Sequence, residues 1–300
     1  MDNNFIIKTE SLSFRVGKKV IIDNLNISVN KGEIYGFLGP NGSGKTTTIK
    51  CILGLINPAK GKTFLFEKEY SKDRIEILKN IGVLIETPSL YENLTGFENL
   101  KIAQILYQLK KEDIIEILHE VELDDFKDLK IKYYSLGMKQ RLGIAIALIH
   151  NPSLLILDEP FNGLDPLGII KLRNIFSSLK QRGKTIFLSS HIISEIEKIS
   201  DKIGILHQGK LLFQGKMEDS KLKYHFKIIG KRPNKDMLNN LEISQVVIND
   251  MEMEFDLCNG NRLDECITFL YQNNCKIVSI EKISKSLEDF FINLIHDQTL

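Results

Sequence analysis

Gly39-Pro40-Asn41-Gly42-Ser43-Gly44-Lys45-Thr46-Thr47 decides how the rest of the chain is read. It fits the phosphate-binding pattern G-x-x-x-x-G-K-[ST] without a mismatch. Before it, Glu33-Ile34-Tyr35-Gly36-Phe37-Leu38 is short and mostly apolar, as a buried parallel strand should be. After it, Thr46 to Leu55 contains no proline and reads as a helix whose N-terminus faces the loop. Glycines let successive backbone N–H groups turn inward around a polyphosphate, and the helix N-terminus adds a favourable dipole. Lys45 is expected to reach the β- and γ-phosphates, and the Thr46 hydroxyl to ligate Mg²⁺. A glycine-rich turn matches by accident in roughly one chain of this length per hundred. The strand before it and the helix after it lower those odds.

Leu154-Leu155-Ile156-Leu157-Asp158-Glu159 is the second informative stretch. Four apolar residues in a row suit a strand buried on both faces, and ligands of open α/β sheets bind outside the carboxyl ends of strands. Asp158 is therefore placed to hold the Mg²⁺ water shell, and Glu159 to polarise an attacking water. Either carboxylate alone would be read as solvating a strand end; beside a phosphate loop that reading loses its force. Ile81 to Ile85 reads as another buried strand, delivering Glu86. Lys184 to Leu188 reads as a third, followed by Ser189-Ser190-His191. A lone histidine is more often structural than catalytic, but a strand's carboxyl end is where a working one would sit.

The remainder of the first two thirds is scaffold. Phe5 to Lys8, a turn at Gly17-Lys18-Lys19, and Leu25 to Val29 suggest antiparallel strands. Asn99 to Glu122 and residues 139–149 carry apolar residues at helical spacing, as do Leu172, Ile175, Phe176 and Leu179. Ile203 to Gly215 reads as a hairpin turning at Gln208-Gly209. Around Ser220 the pattern restarts, with strands expected at Tyr224–Ile229, Gln245–Ile248, Glu252–Leu257 and Lys276–Ile280. Helices are expected near 235–241, 262–273 and 286–295. The domain boundaries read as 1–220 and 221–300, the second a small α+β accessory domain with no chemical motif.

Composition narrows the partners. The 300 residues carry a net charge of +1, no footprint for nucleic acid. Four scattered cysteines, Cys51, Cys258, Cys266 and Cys275, form no C-x-x-C pair and read as reduced and buried. No stretch approaches the roughly 18 apolar residues of a membrane helix, and no signal-like segment follows Met1. A cytoplasmic chain that needs a partner for any membrane role is expected.

With these residues in order, the sequence resembles the nucleotide-binding subunits of ATP-binding-cassette transporters across about residues 5–218. Tyr134-Ser135-Leu136-Gly137-Met138-Lys139-Gln140-Arg141 looks like the family's signature motif, Asn162-Gly163-Leu164-Asp165-Pro166 like its D-loop, and His191 like its switch histidine. The resemblance implies a P-loop NTPase cassette of α/β class, with a RecA-like core, an antiparallel β subdomain and a helical subdomain, followed here by the α+β domain. It implies ATP and Mg²⁺ as ligands and two cassette subunits joined head to tail, here as a homodimer. Ser135 and Gly137 would then contact the γ-phosphate across the interface, and separate transmembrane permease subunits would hold the cassettes at the cytoplasmic face of the membrane.

Three departures from the family pattern matter. Leu136 replaces the first signature glycine, with Met138 standing where a polar residue is common. Val16 falls where an aromatic stacks on adenine, with Phe14 two residues earlier. Glu86 occupies the position of the Q-loop glutamine, so it joins Thr46 and Asp158 as a candidate metal ligand. Glu86-Thr87-Pro88-Ser89-Leu90-Tyr91, Leu94-Thr95-Gly96 and the tail Ser286 to Phe291 look like the subgroup tied to bacitracin resistance and lantibiotic immunity. An ATPase energising export of a peptide antibiotic is the leading expectation, an exporter of another substrate its near variant. A soluble cassette ATPase acting on ribosomes or DNA is the competing class. One cassette, no heptad run and no basic tract weigh against it. A regulator that binds nucleotide without hydrolysis conflicts with Lys45, Asp158 and Glu159 all being present.

Overall fold

A computed structural model describes residues 4–70, 74–108, 111–216, 222–230, 243–248, 252–257, 262–284 and 286–296. The chain divides into two units, Met1–Gly215 and Lys216–Leu300.

Unit 1 begins with β1 (Phe5–Val16), β2 (Lys19–Leu25) and β3 (Ser28–Asn30). The next elements are β4 (Ile34–Leu38), α1 (Lys45–Ile52), β5 (Lys60–Leu65), β6 (Lys68–Glu69), α2 (Arg74–Leu78) and β7 (Ile81–Leu84). Helices α3 (Gly96–Tyr107), α4 (Lys111–Glu120) and α5 (Leu136–Leu148) come before β8 (Leu154–Leu157) and α6 (Pro166–Gln181). β9 (Thr185–Ser190), α7 (Ile193–Ile199), β10 (Lys202–His207) and β11 (Lys210–Lys216) complete the unit. One sheet is antiparallel, in the order β2-β1-β5-β6, with β3 also on β1. The other runs β11-β10-β4-β9-β8-β7.

The second sheet positions the chemistry. Strands β10, β4, β9, β8 and β7 are mutually parallel, and every residue of β4, β8 and β9 is buried. Their unbroken apolar runs follow from having both faces covered. Tyr35 and Phe187, partners in the β4–β9 register, stack with ring centroids 5.3 Å apart inside the core. The register sets Leu38 opposite Ser190, Leu188 opposite Leu157, and Leu157 opposite Leu84. The carboxyl ends therefore finish level, along one edge.

Helix boundaries differ from the sequence reading where caps act. The span Asn99–Glu122, expected as one helix, is two. Thr95 and Glu98 form a capping box that starts α3 at Gly96, and Gln108 ends it in the left-handed conformation at φ 56°. α5 starts at Leu136, three residues early, because the Ser135 hydroxyl accepts from Met138 N at 3.2 Å. α5 also lies close against β7. A Cβ on Gly82 would sit 2.2 Å from the Ala147 carbonyl, and one on Gly143 2.6 Å from Pro88 Cβ. The buried Arg141 ties α5 to the end of α4, donating to the carbonyls of Val121 (2.7 Å) and Glu122 (2.6 Å). Burial pulls its guanidinium below the ordinary value, and the Glu122 charge opposes that shift.

In unit 2, β12 (Leu222–Gly230), β13 (Ile243–Ile248), β14 (Glu252–Leu257) and β15 (Cys275–Ser284) form an antiparallel sheet ordered β13-β14-β12-β15. That order, with helix Leu263–Gln272 between β14 and β15, matches the split β-α-β arrangement. Phe226, Phe255, Leu257, Cys266 and Leu270 form its core. The helix expected near 235–241 and Cys258 lie outside the described residues. Cys51, Cys266 and Cys275 are buried.

Candidate nucleotide site

The phosphate loop leaves β4 at Gly39 and enters α1 through Gly44, whose φ of 109° no other residue type adopts without strain. Lys45 is buried, and its ammonium reaches Gly39 O at 2.7 Å, Pro40 O at 3.3 Å and Glu159 Oε1 at 3.1 Å. Pro40, Asn41 and Gly42 are exposed, Ser43 is buried, and Thr46 and Thr47 are half-buried. Ser43 Oγ has no hydrogen-bond partner although it is buried.

Asp158 and Glu159, one residue apart, face different partners. Asp158 is 2% exposed; its Oδ2 accepts from Thr46 Oγ1 at 2.6 Å and its Oδ1 from Ser189 Oγ at 2.5 Å. Glu159 turns aside through a left-handed backbone at φ 51°. One of its oxygens meets Lys45; the other lies 2.9 Å from His191 Nδ1. Its buried Oε1 has the Lys45 ammonium beside it yet no hydrogen bond of acceptable geometry. Glu159 N donates to Ser189 Oγ at 3.0 Å. Ser189 thus holds the Asp158 carboxylate and the Glu159 backbone. Sequence reading named it only as part of a strand end; its adjacency to His191 was the one available signal.

Glu86, after β7, adopts φ 62° and pairs with Lys50 at 3.1 Å. It lines a cavity of about 350 Å³ together with Thr46, Gln140, Asp158, Glu159 and Gly163. The structure therefore brings Lys45, Thr46, Asp158, Glu159, His191 and Glu86 to one sheet edge. Val16 ends β1 as an exposed residue at 61%, and Phe14 packs on the core. Ser135 is the exposed N-cap of α5 and Gly137 follows it, half-buried. Among the described residues no hydrogen bond or ion pair joins Val16, Ser135 or Gly137 to the Lys45 group. Leu136, in the signature stretch, lines the cavity beside Gly163.

The donors fit a polyphosphate with Mg²⁺. The Ser43 hydroxyl, buried without a hydrogen-bond partner, and the Lys45 ammonium border the loop. Among the described residues no group of three or more His, Cys, Asp or Glu side chains stands ready to hold a metal alone. Mg²⁺ on a nucleotide needs only one or two protein oxygens, the rest coming from phosphate and water, and Thr46 and Asp158 supply that number.

Comparison with known proteins shows what the chain is similar to. A family model described as ABC transporter matches residues 22–162. The chain is 43% identical to the bacitracin transport ATP-binding protein BcrA of Bacillus licheniformis, over 98% of this chain and 99% of that protein. It is 42% identical to the lantibiotic transport ATP-binding protein SrtF of Streptococcus pyogenes, over 72% of this chain and 93% of that one. A solved structure of an ATP binding subunit of an ABC transporter superposes with a TM-score of 0.64 at 32% identity, covering 71% of this chain and 91% of its own.

Proposed function

Since the chain belongs to the family of ABC transporter ATP-binding subunits, which are ATPases partnered by transmembrane components, we propose that it energises export of a peptide antibiotic, bacitracin-like or lantibiotic, and so confers resistance or immunity. The observation that carries the ATPase chemistry is the meeting of Lys45, Thr46, Asp158, Glu159 and His191 at one strand edge. The substrate class rests on the likeness to the bacitracin transport protein, which extends over both units.

Phosphate oxygens compete for the Lys45 ammonium and free Glu159 from it. Glu159 then accepts the proton of the attacking water, while His191 keeps the carboxylate aimed. Gly39 to Thr47 wrap the phosphates through backbone N–H groups. Thr46 and Asp158 would hold Mg²⁺, with Glu86 as a further candidate ligand; when bound, the ion would neutralise charge building on the phosphate oxygens. Val16, exposed at the end of β1, would stand where the family packs an aromatic on adenine.

A second copy completes the site. Ser135 and Gly137 begin a 13-residue helix, so an exposed hydroxyl and helix N-terminus are available to the partner's γ-phosphate. No helix among the described residues is long and apolar enough to cross a membrane. As the ATP-binding subunit of a transporter, the chain would be held peripherally on the cytoplasmic face by separate permease subunits. The exposed Tyr91, Ile105 and Leu106 (62–76%) offer apolar surface to the permease.

Glu159→Gln tests the chemistry: the amide keeps the size but takes no proton. Turnover should fall by ~10²–10⁴-fold while ATP still binds, and the variant should accumulate as an ATP-bound dimer on size exclusion. Near-native turnover would exclude Glu159 as the base. Expression with its membrane partners should raise resistance of sensitive cells to bacitracin or a lantibiotic. Unchanged resistance to both would remove the substrate reading and leave the ATPase intact.

A further inference from the structure

Two contacts leave one face of α1 for two neighbouring strand ends. Thr46 and Lys50 are four residues apart on this helix, so their side chains lie one above the other. Thr46 Oγ1 meets Asp158 at 2.6 Å, and Lys50 Nζ meets Glu86 Oε1 at 3.1 Å. Asp158 and Glu86 follow β8 and β7, which pair in parallel, and both line the same cavity. The glutamates there are matched to lysines of α1: Glu159 to Lys45 and Glu86 to Lys50. Both glutamates hold a left-handed backbone, at φ 51° and 62°, a conformation that persists in a non-glycine residue when its surroundings hold it. The Glu86 side chain is 66% exposed and that of Lys50 35%, so solvent screens their pair and a divalent ion can displace the ammonium.

We propose that Lys50 is a positioning residue that retains Glu86 on the α1 side of the cavity and competes with Mg²⁺ for its carboxylate. Arrival of the metal with its nucleotide then passes Glu86 from Lys50 to the metal's water shell. The device rests on the reading that Mg²⁺ sits beside Thr46 and Asp158 with Glu86 in reach. It goes beyond that reading in giving Lys50 a role. Physically it is an exchange of counter-ions: one positive charge on a flexible stem holds the carboxylate until a doubly charged ion replaces it.

The test uses the full chain and a fluorescent ATP analogue, titrated with Mg²⁺, with binding read by fluorescence. Lys50→Met removes the competitor, so half-saturating Mg²⁺ should fall by about two- to fivefold, the range expected for an exposed ion pair. Lys50→Arg restores the charge and should return the titration to the wild-type position. Glu86→Gln should raise the Mg²⁺ requirement, and adding Lys50→Met to it should change nothing further. Hydrogen exchange in residues 86–91 should respond to Mg²⁺ in the wild type and lose that response in Lys50→Met. A Lys50→Met effect of equal size with and without Glu86→Gln overturns the proposal, because Lys50 then acts on the nucleotide or on α1 itself. An unchanged titration in Lys50→Met overturns it too, provided Glu86→Gln shifts the titration. If Glu86→Gln shifts nothing, the placement of Glu86 beside the metal fails first.

Discussion

Ser189→Ala removes a single oxygen that holds the Asp158 carboxylate and the Glu159 backbone together. Ser189 is fully buried, donates to Asp158 Oδ1 at 2.5 Å, and accepts from Glu159 N at 3.0 Å. Alanine leaves that N–H without a partner, a loss of about 1–3 kcal/mol, and strips a charged acceptor of a bond in the range of about 1.5–3 kcal/mol. Asp158 keeps the Thr46 hydroxyl at 2.6 Å, so the second loss is partial. A net destabilisation of about 2–4 kcal/mol follows. Urea denaturation of the full chain by circular dichroism measures it as a lower midpoint at unchanged slope. Hydrogen exchange locates it, since the Glu159 amide should exchange faster before those of β8 do. Turnover should fall about 10–100-fold with nucleotide affinity largely kept, because Glu159 loses its fixed origin while the phosphate loop is untouched. A stability change within about 0.5 kcal/mol, together with native turnover, would refute the reasoning.

Two further outcomes test other parts of the molecule. Mixing Ser135→Arg with Lys45→Ala subunits leaves each heterodimer at most one intact composite site, so ATPase activity should reappear on mixing; recovery that persists when dimerisation is blocked would exclude a shared site. His150 tests burial at the far end of α5. Its Nε2 lies 3.2 Å from Ile81 O, its Nδ1 is buried without a partner, and its ring stacks on Tyr107 at 4.3 Å. Burial lowers its pKa below 6.5, with the Ile81 carbonyl opposing and Lys184 adding to the shift. Below pH 6.5 the unfolded chain therefore binds more protons than the folded one. The stability held by the neutral ring is complete above that pH and declines as pH falls through it. His150→Gln should flatten this acid-side slope in urea midpoints measured from pH 7 to 5; an unchanged slope would assign it to other groups.

The sequence alone settled what is carried by short, contiguous patterns. Gly39 to Thr47 needs only its own glycines, its lysine and the strand before it to be recognised, and Leu154 to Glu159 announces itself by an apolar run that ends in carboxylates. The α/β class follows from such runs, since a strand buried on both faces has no polar face to alternate with. Most strand and helix positions were legible for the same reason. Boundaries were less so: the Thr95–Glu98 capping box starts α3 ahead of Asn99, and the left-handed Gln108 divides a stretch whose apolar spacing reads as one helix.

Tertiary structure decided what depends on register between distant strands. That Ser189 serves both Asp158 and Glu159 follows from β8 and β9 ending level, a relation between residues some thirty positions apart that no local pattern encodes. Lys50 in a sequence is one more surface lysine; only the parallel pairing of β7 with β8, and the turn of α1 that aligns Lys50 with Thr46, set it opposite Glu86. The same holds for Arg141, whose guanidinium finds the last carbonyls of another helix. Local sequence specifies which groups the chain carries, because backbone preference and apolar periodicity act over a few residues. Which of them share a proton, a metal or a charge is fixed by the packing of the sheet, where each strand's neighbour comes from far away in the chain.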